Sequence, residues 1–196
     1  MLQPHVQEVA ANNVLIALGS NTGSFLGDAK TTVFKAFDFI EEEVGKIRKK
    51  SKLYETPCFP VGFGPDYVNA AVSVVTNSEP SDILLRLHNI ETYFGRERLQ
   101  RWGSRSLDLD LLAVGDMILP NRTQAENWIG MPLSDQANNT PDELILPHPR
   151  IQDRPFVLVP LLDVADDWKH PVLGLSVAEM LDHYPMDEIS QVKSVS

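Results

Sequence analysis

The run Leu107-Asp108-Leu109-Asp110-Leu111 constrains the fold more than any other stretch of the chain. Leucine and aspartate alternate with the period of a β-strand, whose successive side chains point to opposite faces. Leu107, Leu109 and Leu111 are therefore expected in a core, with Asp108 and Asp110 projecting together from the opposite face. Two carboxylates two residues apart repel each other unless a cation lies between them. Mg²⁺ is commonly held by one or two carboxylates while a phosphorylated substrate fills its remaining positions. Just before this run stand Arg96, Arg98, Arg101 and Arg105, four of the nine arginines, within ten residues. Guanidinium groups are forked donors that match phosphate oxygens. The segment reads as a metal–polyphosphate site. The alternative, a solvated polar face of an antiparallel sheet, is weakened by the arginines and by Trp102-Gly103, an aromatic and a flexible residue where a loop meets the strand.

The rest of the chain bounds the partners. At 196 residues and 43% hydrophobic, it is long enough for one globular domain with a full core. A formal net charge of -10 repels polyanions, so neither nucleic acid nor an anionic membrane is expected as the main partner. The basic cluster is better suited to a small anion. The single cysteine, Cys58, cannot form an internal disulfide, and no apolar run reaches transmembrane length. The N-terminus lacks the basic and apolar regions of a secretory signal, so a cytoplasmic protein is expected. The sequence predicts one domain spanning 1–196. Residues 1–13 are expected to be a flexible N-terminus, 120–142 a mobile surface excursion and 185–196 a tail.

Strand and helix signals alternate along the chain. Val14–Leu18 predicts a buried strand and the spacing of Val33, Phe34, Phe37, Ile40 and Val44 a helix. Ile47–Glu55 predicts an edge strand, Thr56–Pro65 a loop and Tyr67–Val75 a second good strand. Ile83, Leu84, Leu87, Ile90 and Phe94 form the stripe of a helix that begins near Pro80 and ends at Gly95. After the Asp-Leu-Asp strand, Gly115-Asp116 predicts a hairpin into Met117–Leu119. Phe156–Val159 predicts a further strand, and Ser176 with Glu179 a capping box opening the last helix. Gly19, Gly23 and Gly27 match neither phosphate-loop pattern and read as a tight strand–helix connection.

Taken in order, these motifs resemble the 6-hydroxymethyl-7,8-dihydropterin pyrophosphokinases of folate biosynthesis. The series runs from Ala17-Leu-Gly-Ser-Asn21 through Glu55-Thr-Pro57, Pro65-Asp-Tyr-Val-Asn-Ala-Ala71, Ile90-Glu91 and Phe94-Gly-Arg96. It continues with Arg101-Trp-Gly-Ser-Arg105, Leu107-Asp-Leu-Asp110 and Pro147-His148 to Arg154 and Phe156. Residues 14 to 183 are covered. The resemblance implies an enzyme that moves pyrophosphate from ATP to the pterin hydroxymethyl oxygen and releases AMP. Asp108 and Asp110 would hold two Mg²⁺ ions, with Arg96 and Arg105 joining them in catalysis. Glu91, Arg98, Trp102, Arg105, Leu111, His148 and Arg154 would serve ATP. Thr56, Pro57, Phe59, Tyr67, Asn69 and Phe156 would form the pterin pocket, since a flat heterocycle suits aromatic faces and an Asn amide can both donate and accept. His88 stands where the family usually has glutamine, Pro149 where an aromatic is common, and Glu143 where a basic residue is usual.

The fold expected is α+β with a ferredoxin-like core, an antiparallel sheet with helices on both faces in three α/β/α layers. The partners expected are the two small-molecule substrates, with no nucleic acid, no membrane and a monomeric state. Two rivals remain on sequence grounds. A ferredoxin-like RNA-binding module would show surface-aromatic motifs that are missing here. A metal-dependent phosphohydrolase would use a richer His/Asp ligand set and release inorganic phosphate.

Overall fold

The computed structural model describes residues 11–58, 64–96 and 105–195. Phe59, Arg98, Arg101 and Trp102 lie outside the described residues, as does most of the 95–103 segment. Strand β1 (Asn12–Ser20) is central to a six-stranded sheet. It pairs on one side with β4 (Tyr67–Thr76) and on the other with β5 (Asp108–Val114), both antiparallel. The far side of β4 carries β2 (Lys46–Lys50) and β3 (Leu53–Thr56), and β6 (Lys193–Val195) adds to β3. With helix α1 (Ala29–Glu43) between β1 and β2, and α2 (Pro80–Tyr93) between β4 and β5, this is the ferredoxin-like α+β arrangement.

The helices form where the sequence signals them. Asp28 caps α1 by accepting from Thr31 N–H at 2.8 Å. Pro80 opens α2, where its missing N–H costs nothing, and Gly95 just beyond its end takes φ +81°. Both helices cover one face of the sheet. There Val14, Ile16 and Leu18 meet Val68, Ala70, Val72, Val74, Leu109 and Leu111 beneath Phe37, Ile40, Ile83 and Leu87. The opposite face is covered by α5 (Pro155–Val164) and α6 (Val177–Leu181), over Leu15, Ala17, Ala71, Leu112 and Ala113. A register shift between Leu15 and Ile16 lets Leu111 enter the first core while Leu112 and Ala113 both enter the second. Helices on both faces give the three layers expected.

Several local expectations are corrected. The single edge strand Ile47–Glu55 is two strands. Ser51 and Lys52 interrupt it because Ser51 exchanges hydrogen bonds with Ala71 and the Lys52 N–H donates to Asp163. Phe156–Val159 is not a strand but the first half of α5. Its buried residues Val157, Leu158, Leu161 and Val164 recur at helical spacing, and Pro155 sits in the first turn. Met117–Leu119 forms no hairpin with β5; Leu119 instead pairs with Leu146 in an isolated bridge. Residues within 120–142 form two helices, α3 (Arg122–Ile129) capped by Asn121, and α4 (Leu133–Asn138). The segment expected as a tail carries α7 (Met186–Ile189) and β6, so α6 is not the last helix. Asn12 and Asn13, placed in a flexible N-terminus, belong to β1. The capping box of Ser176 and Glu179 is present at the start of α6.

Candidate active site

The site grows from the sheet register. Gly19, near the end of β1, pairs with Asn69 of β4 on one side and Asp108 of β5 on the other. Two residues earlier Ala17 stands between Ala71 and Asp110. All of these lie on the face covered by α5. That face is apolar at Leu15, Ala17 and Ala71, then changes character: a glycine with no side chain flanked by an amide and a carboxylate. A Cβ on Gly19 would come within 3.2 Å of Asn69 Oδ1. The glycine therefore leaves a slot in the sheet floor, and Asn69 occupies its edge. Asn69 is buried and donates through Nδ2 to Thr56 Oγ1 at 2.8 Å, so β3 fixes the orientation of the amide.

Three guanidinium groups meet three carboxylates around Asp108 and Asp110. Arg96 contacts Asp108 at 2.6 Å and also pairs with Glu91. Arg105 pairs with the other oxygen of Asp108, and Arg154 reaches Asp110 at 3.1 Å. Glu91, on α2, is only 1% exposed and also accepts from Leu109 N–H at 2.8 Å. It braces β5 against α2 and holds Arg96 at the same time. Arg154 further lies over the Phe156 ring, 6.0 Å from its centroid.

Burial, together with the neighbouring Asp110, pushes the Asp108 carboxyl above its ordinary value, although Arg105 and Arg96 oppose this. At Asp110 burial acts in the same sense but is outweighed by His148, Arg154, Arg105 and Arg96, which hold it below the usual range. His148 itself is pushed down to about 4, chiefly by burial. The Arg150 N–H donates to its Nδ1 at 3.1 Å, which requires an unprotonated Nδ1. At neutral pH His148 is thus an uncharged imidazole with its hydrogen on Nε2, and the lasting positive charge beside Asp110 comes from the arginines.

Two cavities meet at this pair. A cleft of about 280 Å³ lies on the α2 side, lined by Leu84, His88, Glu91, Arg96, Leu111, Ile145 and His148 among others. A larger cavity of about 930 Å³ lies on the α5 side, lined by Thr56, Cys58, Tyr67, Asn69, Arg154 and Phe156 among others. Asp108 and Asp110 line both. Of the residues singled out in the sequence, Arg96, Glu91, Leu111 and His148 fall on the first cavity. Thr56, Pro57, Tyr67, Asn69, Arg105, Arg154 and Phe156 fall on the second. Leu111 is a core residue with an edge in the cleft. His88, noted in the sequence as a replacement for the family's usual glutamine, is a wall of the cleft; sequence reasoning missed Gly19 as the floor and Glu188, Gln191 and Val192 at the cavity rim. The Gly19 role was readable only through the register that sets it between Asn69 and Asp108.

The chemistry of the donor set suits magnesium with a polyphosphate. It offers two hard carboxylates, and among the described residues no group of three or more His, Cys, Asp or Glu could enclose a metal alone. Substrate oxygens would have to complete the shell, as is usual for Mg²⁺. Burial and the neighbouring Asp110 disfavour the Asp108 carboxylate charge, and an added cation would offset that penalty.

A ferredoxin-like domain whose sheet ends in paired carboxylates and guanidiniums, between two cavities, defines an enzyme acting on a phosphorylated substrate. Residues 15–166 match the model of the 7,8-dihydro-6-hydroxymethylpterin-pyrophosphokinase (HPPK) family, and the chain belongs to that family. It is 32% identical over 173 residues to the 2-amino-4-hydroxy-6-hydroxymethyldihydropteridine pyrophosphokinase of Synechocystis sp., covering 87% of this chain and 75% of the relative. The Bacillus subtilis protein of the same description is 35% identical over 157 residues, covering 78% of each. In fold it is similar to a Plasmodium falciparum HPPK-DHPS triple mutant, with a TM-score of 0.65 at 18% identity. That match covers 95% of this chain and 46% of the longer protein.

Proposed function

We propose that this chain transfers the pyrophosphoryl group of ATP to the hydroxymethyl oxygen of 6-hydroxymethyl-7,8-dihydropterin, giving the pterin diphosphate and AMP. The observation that supports this most strongly is the pair of cavities that share Asp108 and Asp110. A single-substrate hydrolase needs one pocket beside its carboxylates, whereas group transfer between two bound molecules needs two.

In this reading the larger cavity takes the pterin. Tyr67 and Phe156 flank the flat ring, while Asn69 and Thr56 face its polar edge beside Pro57; the family resemblance assigns Phe59, outside the described residues, to the same substrate. The smaller cleft takes the nucleotide. Leu84, Leu111 and Ile145 contact the base, and His148 offers Nε2–H as a donor. Arg96, Arg105 and Arg154 neutralise phosphate charge, and the family resemblance assigns Arg98 and Trp102, outside the described residues, to the nucleotide as well. Glu91 holds Arg96. The pterin hydroxyl oxygen forms a bond to the β-phosphorus, and the bond from that phosphorus to the α–β bridging oxygen breaks. The bridging oxygen leaves with AMP and the hydroxyl proton passes to solvent. No side chain is assigned as a general base. Catalysis comes from alignment of the two substrates and from donors already in place for the charge that develops. Asp108 and Asp110 would hold two Mg²⁺ ions, whose chemistry is to offset the triphosphate charge.

Purified protein with ATP, Mg²⁺ and the reduced pterin tests the proposal. AMP should accumulate only when both substrates are present, in equal amount to the pterin diphosphate. ADP or inorganic phosphate as the main product would contradict it.

A further inference from the structure

Ser20 ends β1 and Asn21 follows it at the wall of the larger cavity; neither has a role in the transfer as described above, yet both are among the few buried polar residues. Three of the four hydrogen bonds they make beyond the strand ladder converge on one place. Asn21 N–H donates to the Arg105 carbonyl at 3.2 Å, and Arg105 N–H donates back to Asn21 Oδ1 at 2.8 Å. Ser20 Oγ donates to the Ser106 carbonyl and accepts from Gly23 N–H at 3.3 Å. The backbone of Arg105 and Ser106 is thus clipped to the end of the central strand.

The need for such a clip follows from strand periodicity. The ladder between β1 and β5 ends at the pair Gly19–Asp108. Were it to continue, Arg105 would share a face with Leu107, which is fully buried in the core, and its guanidinium would point away from Asp108. Instead the chain bends at Ser106 and Arg105 pairs with Asp108 on the cavity side. An Asn side chain can stand in for a backbone partner where regular pairing has stopped. Asn21 supplies that substitute. Its Nδ2, by contrast, makes no hydrogen bond among the described residues.

We propose that Asn21 is a positioning residue: its reciprocal bonds to the Arg105 backbone hold the Arg105 guanidinium in place for the transferring phosphoryl group. The proposal rests on the transfer reading above, in which Arg105 meets the phosphates. It requires the Oδ1 acceptor and not the Nδ2 donor. A displacement of about 1 Å at such a group can cost on the order of 100-fold in rate.

The test is a kinetic cycle on AMP release by the full chain. Asn21→Ala should lower kcat by about 10- to 100-fold, with KM for ATP and for the pterin each within about threefold of the parent. Asn21→Asp, which keeps the acceptor, should recover most of that loss. In an Arg105→Ala background, adding Asn21→Ala should lower kcat by less than about twofold, because the group it positions is gone. Full additivity of the two changes, a rise in KM alone, or an Asn21→Asp variant as poor as Asn21→Ala would each overturn the proposal. Should Asn21→Ala not fold, Asn21→Ser, whose shorter hydroxyl cannot span to the Arg105 N–H, takes its place in the cycle. A parent protein that makes no AMP would defeat the transfer reading instead. The clip would then be read from the Arg105 Nε–H resonance, sharp in the parent and broadened or lost in the Asn21 variants; an unchanged resonance would overturn it.

Discussion

The two faces of the sheet are made by the same strands and differ by one residue of phase. On the face under α1 and α2, Val14, Ile16, Leu18, Val68, Ala70, Val72, Leu109 and Leu111 run apolar along the whole length. On the face under α5 and α6 the apolar residues stop at Leu15, Ala17 and Ala71, and Gly19, Asn69, Asp108 and Asp110 follow. The first face is closed by close packing and therefore insures the strand positions. The second is left open at one end, where Asp108 and Asp110 are matched by Arg105 and Arg154, while Arg96 and Glu91 complete the charge-matched set from the α2 side. One face carries stability and the other carries chemistry because alternation lets both be written into a single strand.

Substitutions on the two faces should therefore separate cleanly. The largest effect is expected at the open end. Asp108→Asn and Asp110→Asn should each lower AMP turnover by at least about 10³-fold, roughly 4 kcal/mol of transition-state stabilisation, in steady-state assays at saturating Mg²⁺. Both variants should remain folded. Apo stability should stay equal or rise slightly for Asp108→Asn, whose charge burial and Asp110 disfavour, and fall by about 1–2 kcal/mol for Asp110→Asn, whose charge the surrounding guanidiniums favour. The closed face should behave in the opposite way. Leu87→Ala, at a fully buried position under α2, should cost about 3–4 kcal/mol in denaturant unfolding while leaving kcat per folded molecule near that of the parent.

A third effect concerns the cover of the open face. His170, just before α6, is fully buried and its pKa is pushed down to about 4 by that burial. Its Nδ1 accepts from Val172 N–H and Leu173 N–H, so only the uncharged ring fits. The unfolded chain takes up a proton near pH 6.5, while the folded chain resists doing so until about pH 4. Stability should be highest above pH 6.5 and fall by up to about 3 kcal/mol as pH drops through that window. Urea unfolding at pH 7 and pH 5 checks this, and His170→Asn should reduce the difference to the part that His148, pushed down by burial in the same way, still contributes. The smallest effect is expected at the slot. Asn69→Ala should weaken pterin binding by about 1–2 kcal/mol in calorimetry and leave binding of an ATP analogue unchanged. Gly19→Ala, whose Cβ would press on Asn69 Oδ1, should shift pterin affinity in the same direction.

The strand carrying Asp108 and Asp110 was legible because strict alternation admits one reading, and α1 and α2 because their apolar spacing is long, with Pro80 and Gly95 marking the ends of α2. Phe156–Val159 misled because four apolar residues fit a strand as well as a buried helix. Only the wider spacing of Val157, Leu158, Leu161 and Val164 tells them apart. The last strand, β6, has almost no apolar signal of its own; it exists because β3 offers it an edge. At the site, the carboxylates and arginines could be found from charge and spacing. That Arg96 and His148 fall on one side of the pair while Arg105 and Arg154 line the other is tertiary information. So is the reciprocal pairing of Asn21 with Arg105, which joins residues 84 positions apart.

The proposed transfer from ATP to the pterin at the open end of the second face is tested most directly by following one atom. ATP carrying ¹⁸O at the α–β bridge is turned over with the reduced pterin and Mg²⁺, and the products are read by ³¹P NMR and mass spectrometry. Attack by the pterin hydroxyl on the β-phosphorus leaves the label on AMP, with the pterin diphosphate holding its own unlabelled ester oxygen. Label retained in an ADP product, or an ester oxygen in the pterin product that came from ATP, would contradict transfer between the two cavities.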